Sequence, residues 1–158
     1  MNKKVRFLTH GAIIAALYVI LTILARLVGL DSGVIQVRFS EALCVLTAFT
    51  PAAIYGMTVG CLISNMLVGG AFWDIVCGSA ATLIGAALGY ALRKYPYLVP
   101  LPTVLSNMLI IPRVLIKVYG AENSFRFLFA TVGAGEIISA YVLGLILYSA
   151  LKKTKIRF

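Results

Sequence analysis

At residues 39–51 the chain reads FSEALCVLTAFTP: Ser40 and Glu41, then an apolar run stopped by Pro51. Whether that run counts as a helix of its own sets the architecture. As an α-helix, residues 39–50 would reach roughly 18 Å at about 1.5 Å per residue, short of the roughly 30 Å of a bilayer core. Pro51 restrains Thr50 and suits the start of a new helix, so 39–50 and 51–68 read as two helices in succession.

Outward from this stretch the chain is apolar almost throughout. Its 158 residues are 61% hydrophobic and 12% charged, with a mean hydropathy of +1.01. That is not the composition of a water-soluble globule. Residues 8–30, 51–68, 74–92, 100–117 and 126–151 each approach the roughly 20 residues a crossing needs. The expectation is an all-α integral membrane protein with one membrane domain over residues 1–158. MNKKVRF at the start resembles the head of a signal peptide, but the apolar run after it is long and no polar domain follows, so it reads as a retained first helix.

Charge decides between five and six crossings. Lys3, Lys4 and Arg6 stand at one end and Lys152, Lys153, Lys155 and Arg157 at the other. Cytoplasmic flanks collect lysine and arginine, so both termini are expected inside, which demands an even number. Six helices also place Arg93 and Lys94 inside. The five acids, Asp31, Glu41, Asp74, Glu122 and Glu136, then fall toward the outer side. The net charge of +9 follows from this topology, since no basic groove or nucleic-acid motif accompanies it.

Glu136 is the costliest residue, about 15 Å deep in the last helix. It reads as a functional acid, with a structural pair to Arg26 or Arg113 as the competing reading. Arg38 and Glu41 are three residues apart and read as a local ion pair or as pocket lining. The helix dipole favours Glu41 near a helix start and disfavours Arg38, so Arg38 points to a partner elsewhere. Trp73 and Asp74 at the start of the fourth helix are either an interfacial anchor and a cap, or, with Phe72, a stacking face beside a carboxylate for a planar cationic solute. Asn65 and Asn107 offer amides within apolar runs, for interhelical bonds or for a ligand. Pro112 is expected to kink the fifth helix and free a carbonyl.

Small residues recur at helix-packing spacing: Gly56, Gly60 and Ser64; Ala81, Gly85 and Gly89; Gly135 and Ser139. The first helix carries Gly11 with Ala15 and Ala12 with Ala16. Cys44, Cys61 and Cys77 read as small buried thiols, and His10 as an interfacial side chain. The loop 31–37, with Gly29 and Gly33 as hinges, reads as an outer lid. The chain shows no phosphate-cradling loop, no paired histidine ligands and no nucleophile, histidine and acid set. An outward polar pocket without ATPase or catalytic motifs implies solute capture, with energy from elsewhere and no cofactor of its own.

In order over residues 35 to 145, IQVRFSEAL, PAAIYGMTVGCLISN, DIVCGSAATL, NMLIIPRVL and VGAGEIISAYVLG resemble the QueT family of queuosine-precursor transporters. These are substrate-binding S components of energy-coupling factor (ECF) importers. The resemblance implies a six-helix S-component bundle in the cell membrane with both termini cytoplasmic. It also implies a transmembrane coupling subunit and two ATPases as partners, with ATP used by those ATPases. Ala12 and Ala16 are similar to the docking motif that such subunits carry on their first helix. The implied solute is a 7-deazaguanine, such as 7-aminomethyl-7-deazaguanine, or queuine. Glu136 would accept its lactam N–H and exocyclic amine together, Glu41 or Asp74 would balance its aminomethyl cation, Trp73 or Phe72 would stack on its ring, and Asn65 or Asn107 would contact the lactam oxygen. Two rival readings are a stand-alone proton-coupled carrier of a small cationic solute, with Glu136 as the proton site, and a membrane scaffold whose polar residues are interhelical glue. An S component for another vitamin-like heterocycle is a variant of the importer reading.

Overall fold

The computed structural model describes residues 2–31 and 35–154. The fold is all-helical: α1 (Lys3–Leu27), a 3₁₀ helix (Phe39–Ala48), α2 (Ala52–Leu67), α3 (Phe72–Ala91), a short 3₁₀ turn (Pro96–Leu98), α4 (Leu101–Tyr119), α5 (Phe125–Glu136), a π-helical segment (Ile137–Leu143) and α6 (Gly144–Lys153). The last three run on without a break, and Phe125–Lys153 is, among the described residues, one of four helices long and apolar enough to cross a membrane, with Lys3–Leu27, Phe72–Ala91 and Pro96–Tyr119.

The decisive stretch departs from an α-helix. Residues Phe39–Ala48 form a 3₁₀ helix of ten residues with Ser40 through Thr47 all buried. At about 2.0 Å per residue such a helix reaches about 20 Å, where an α-helix of the same length gives about 15 Å. Stretching lets a short segment thread the bundle's centre. There its weaker backbone geometry is shielded from lipid by α1, α2, α3, the π segment and α6, which all pack on it. Thr50 then caps the restart, its hydroxyl accepting from the Ala52 N–H at 3.3 Å.

Small residues set the helix spacing. A Cβ placed on Gly60 would lie 2.7 Å from the Tyr18 Cβ and 2.9 Å from the Ala15 carbonyl oxygen, and one on Gly56 would lie 2.6 Å from the Gly11 carbonyl oxygen. Thus α1 turns Gly11, Ile14, Ala15 and Tyr18 toward α2. Ala12 and Ala16 fall on its opposite, exposed face. In the same way Gly85 and Gly89 admit Thr103 and Val99 beside α3.

Gly135 and Ser139 receive an extended strand of chain where a helix was expected. Gly135 abuts the carbonyl of Gln36. The Ser139 hydroxyl accepts from the Arg38 N–H at 2.9 Å and donates to the Gly135 carbonyl at 2.8 Å. Residues 36–38 are thereby strapped across α5 just where it passes into the π segment. Gly29 has φ +75°; Gly33 lies outside the described residues, as does the middle of the expected lid. Pro112 is buried inside α4, which stays helical through it.

Gly135→Ala drives a methyl group into the Gln36 carbonyl. It is expected to cost about 1–3 kcal/mol, the scale of overpacking a tight contact, read as a lowered unfolding midpoint of the purified chain in detergent.

Candidate functional site

The end of the bundle formed by the C-terminal ends of α1, α2 and α4 and the start of α3 encloses a cavity of about 330 Å³. Its volume is at the small end of the range for ligand pockets, suited to a single small heterocycle. The start of α1 and the end of α6 lie at the opposite pole: Phe7 meets Tyr55 at the start of α2, and Tyr148 in α6 meets Phe49.

Arg26, Asp31, Gln36, Arg38, Asn65, Asp74 and Tyr119 are among the cavity's lining residues. At the rim Arg26 pairs with Asp31 at 3.9 Å. Tyr119 donates to Asp74 Oδ2 at 2.9 Å and accepts from the Ala71 N–H at 3.1 Å, tying α4 to the start of α3.

Behind the inner wall the polar groups are sealed from solvent. Glu41 is 1% exposed and Glu136 8%. Tyr18 donates to Glu41 Oε1. Thr22, which lines the cavity, donates to the hydroxyl of Ser40, the neighbour of Glu41, at 2.9 Å. Glu136 lies under the strap whose Gln36 and Arg38 face the cavity. Arg38, Glu41 and Asn107 are the polar groups around it. Glu41 Oε2, Glu136 Oε2, Asn107 Nδ2 and Thr103 Oγ1 have no hydrogen-bond partner among the described residues. Buried polar atoms are nearly always paired, so the unpaired oxygens of Glu41 and Glu136 and the unpaired amide of Asn107 mark a place where something else could bind; Thr103, in the first turn of α4, stands apart from the cavity end.

The sequence of the chain matches the QueT transporter family over residues 8–153.

The chain belongs to the QueT transporter family.

Four long apolar helices and membership of this transporter family make it a multi-pass membrane protein. A curated relative, the queuosine precursor transporter QueT of Lactococcus lactis subsp. cremoris (strain MG1363), is 43% identical over 82 residues, which is 51% of this chain and 47% of the relative. The aligned part thus spans about half the length of that relative. No solved structure matches significantly.

Against this QueT-family frame the expected residues separate into groups. Arg38, Asn65 and Asp74 line the cavity, and Glu41, Asn107 and Glu136 are buried, each with one side-chain atom that has no hydrogen-bond partner among the described residues. Phe72 and Trp73 are 69% and 60% exposed and meet each other edge to face at 5.5 Å. Neither lines the cavity, where Tyr119 is the bordering aromatic ring. The pairing of Glu136 with Arg26 or Arg113 does not form: Arg26 is taken by Asp31, and Arg113 donates to the Leu109 carbonyl and lies 5.2 Å over the Phe125 ring. Arg38 and Glu41 are not within ion-pair distance of each other among the described residues.

Tyr18, Thr22, Tyr119 and Ser139 enter the site without having been singled out as ligands or supports of it. Tyr18 and Thr22 continue the stripe of Gly11 and Ala15 down one face of α1, and that spacing was the available signal.

Removing the Tyr18 hydroxyl leaves Glu41 with two unpaired oxygens. Tyr18→Phe is expected to cost about 1–3 kcal/mol in thermal unfolding, and less in a Glu41→Gln background, where no carboxylate is left to strand.

Proposed function

We propose that the chain is the S component of an ECF-type importer, capturing a queuosine precursor on the outer side of the cell membrane for uptake driven by partner ATPases. The observation that carries this reading is the cavity lined by Arg38, Asn65 and Asp74, with the unpaired oxygens of the buried Glu41 and Glu136 outside its lining, in a chain of the QueT transporter family. The relative's name supplies the substrate class.

In this reading the chain crosses the membrane six times, with the 3₁₀ helix and α2 as the second and third segments and both termini in the cytoplasm. Support comes from the polarity of the bundle: Lys3, Lys4, Arg93, Lys94, Lys152 and Lys153 stand at the pole away from the cavity, where the positive-inside rule places them. The exposed face of α1, with Ala12 and Ala16 between Leu8, Ile20 and Leu24, is the docking face for the coupling subunit. Two ATPases complete the assembly and use the ATP.

A 7-deazaguanine presents a lactam N–H and an exocyclic amine side by side, which one carboxylate accepts together. Glu136 takes that edge, and Asn107 or Asn65 donates to the lactam oxygen. Tyr119, at the rim, replaces Phe72 and Trp73 as the ring nearest the ligand. The buried Glu136 would equally serve a stand-alone proton-coupled carrier, which differs in needing no partner: it predicts uptake by the chain alone, collapsed by an uncoupler.

Calorimetry of the purified chain with 7-aminomethyl-7-deazaguanine, guanine and unrelated vitamins tests capture. Binding of the deazaguanine is expected, weakened at least about tenfold by Glu136→Gln through loss of a charge-assisted bond. Undiminished binding by that variant would remove Glu136 from the role. Bulky replacement of Ala12 and Ala16 by tryptophan is expected to abolish uptake in cells that carry the partner subunits while calorimetric affinity stays unchanged. Uptake at the normal rate would refute the docking face.

A further inference from the structure

The C-terminal half of α4 serves two different hollows. Ile111, Leu115 and Tyr119, each four residues from the next, line the cavity. Ile110, Val114 and Val118, on the same spacing, line a separate groove of about 420 Å³ with Trp73 and Cys77 of α3. Arg113 and Lys117 belong to this second lining, one turn apart and both exposed.

These two cations stand without an acid. Among the described residues neither lies within ion-pair distance of a carboxylate, and like charges at this spacing on a helix repel each other. Arg113 donates to the Leu109 carbonyl and lies 5.2 Å over the Phe125 ring, so its protein partners are neutral ones. Lys117 is in the last turn of α4, where the helix dipole favours a cation; Arg113, a turn earlier, lacks that support. Arg113 stands six residues before Tyr119 at the end of α4, about 9 Å at about 1.5 Å per residue. A long cationic side chain at that depth runs along apolar surface toward the headgroup level. Trp73, the second residue of α3 and 60% exposed, has the place of an interfacial tryptophan.

Charge and surface together narrow the occupant. Two unpaired cations call for an anion, and the branched side chains beside them call for an acyl chain; a free phosphate would leave the apolar lining bare. A zwitterionic lipid carries its own ammonium against its phosphate, whereas an anionic lipid offers its phosphate unneutralised to the guanidinium fork of Arg113. We propose that this groove binds an anionic phospholipid at the cavity pole of the bundle, with its phosphodiester held by Arg113 and Lys117, its acyl chain along Ile110, Val114 and Val118, and Trp73 at its edge. The site is separate from the solute cavity and stands whatever that cavity takes.

Trp73 is the one tryptophan of the chain, so its fluorescence reports this groove alone. The full chain is placed in phosphatidylcholine vesicles that contain a minor share of lipid brominated high on its acyl chains, carried either on phosphatidylglycerol or on phosphatidylcholine. Quenching is expected to show the brominated phosphatidylglycerol enriched beside Trp73 about tenfold over the phosphatidylcholine, the scale of a charge-assisted hydrogen bond. Arg113→Gln with Lys117→Gln is expected to remove the enrichment. Lys152→Gln with Lys153→Gln lowers the net charge by the same amount at the other pole and is expected to keep it. Equal quenching of the unaltered chain by the two lipids would overturn the proposal. So would an enrichment that survives the Arg113 and Lys117 pair, or one lost equally in the Lys152 and Lys153 pair, since either result assigns it to the overall charge of +9. Should the first pair fail to insert, Lys117→Glu alone sets an acid beside Arg113 and is expected to abolish the enrichment; an enrichment kept in that variant would refute the site.

Discussion

The hydrogen bond from Tyr18 to Glu41 is the contact on which the arrangement turns. A carboxylate with 1% exposure at the centre of an apolar bundle is held there only if something donates to it, because burying it bare costs several kcal/mol. Tyr18 is itself 1% exposed, so donor and acceptor have no water to turn to. Their bond ties α1 to the 3₁₀ helix, and Thr22, one turn further along α1, repeats the tie through Ser40. With the 3₁₀ helix fixed in this way, Arg38 and Gln36 just before it are delivered to the cavity wall.

The strap at residues 36–38 shows how the fold trades close packing for access. Gly135 and Ser139 let extended backbone lie directly on α5, and the chain changes to a π segment immediately after Glu136. Single-turn departures of this kind are frequent at functional sites, because they re-aim side chains and loosen the backbone ladder. Here the departure follows the one acid set deep in the last helix. The small residues that elsewhere bring helix against helix, as Gly60 does for Tyr18, bring a loop against a helix at this point.

Much of this was legible in the sequence for physical reasons. Apolar length marked the long helices, and the expense of an acid in lipid marked Glu136. Four-residue spacing marked the contacts of Gly56 and Gly60. Arg38 and Asp74 stood out as charges at helix starts and Asn65 as an amide within an apolar run, and all three line the cavity. What stayed hidden depends on partners distant in sequence. Tyr18 on an apolar helix carries no sign that its hydroxyl meets an acid 23 residues away. The 3₁₀ geometry of Phe39–Ala48 answers to crowding on every side, which leaves no periodic stripe to read. Phe72 and Trp73 have the composition of a stacking face, yet their position at the start of α3 turns them outward.

The central claim is that the cavity at the pole away from the start of α1 and the end of α6 opens to the outside and receives the solute. Asn65 lines it and is 2% exposed, so an Asn65→Cys substitution places a thiol on its wall. Labelling of that thiol on intact cells by a membrane-impermeant maleimide, with and without a 7-deazaguanine, tests the claim most directly. The account predicts labelling from outside that the deazaguanine slows. Labelling only in inverted vesicles, or at a rate the ligand leaves unchanged, would contradict it.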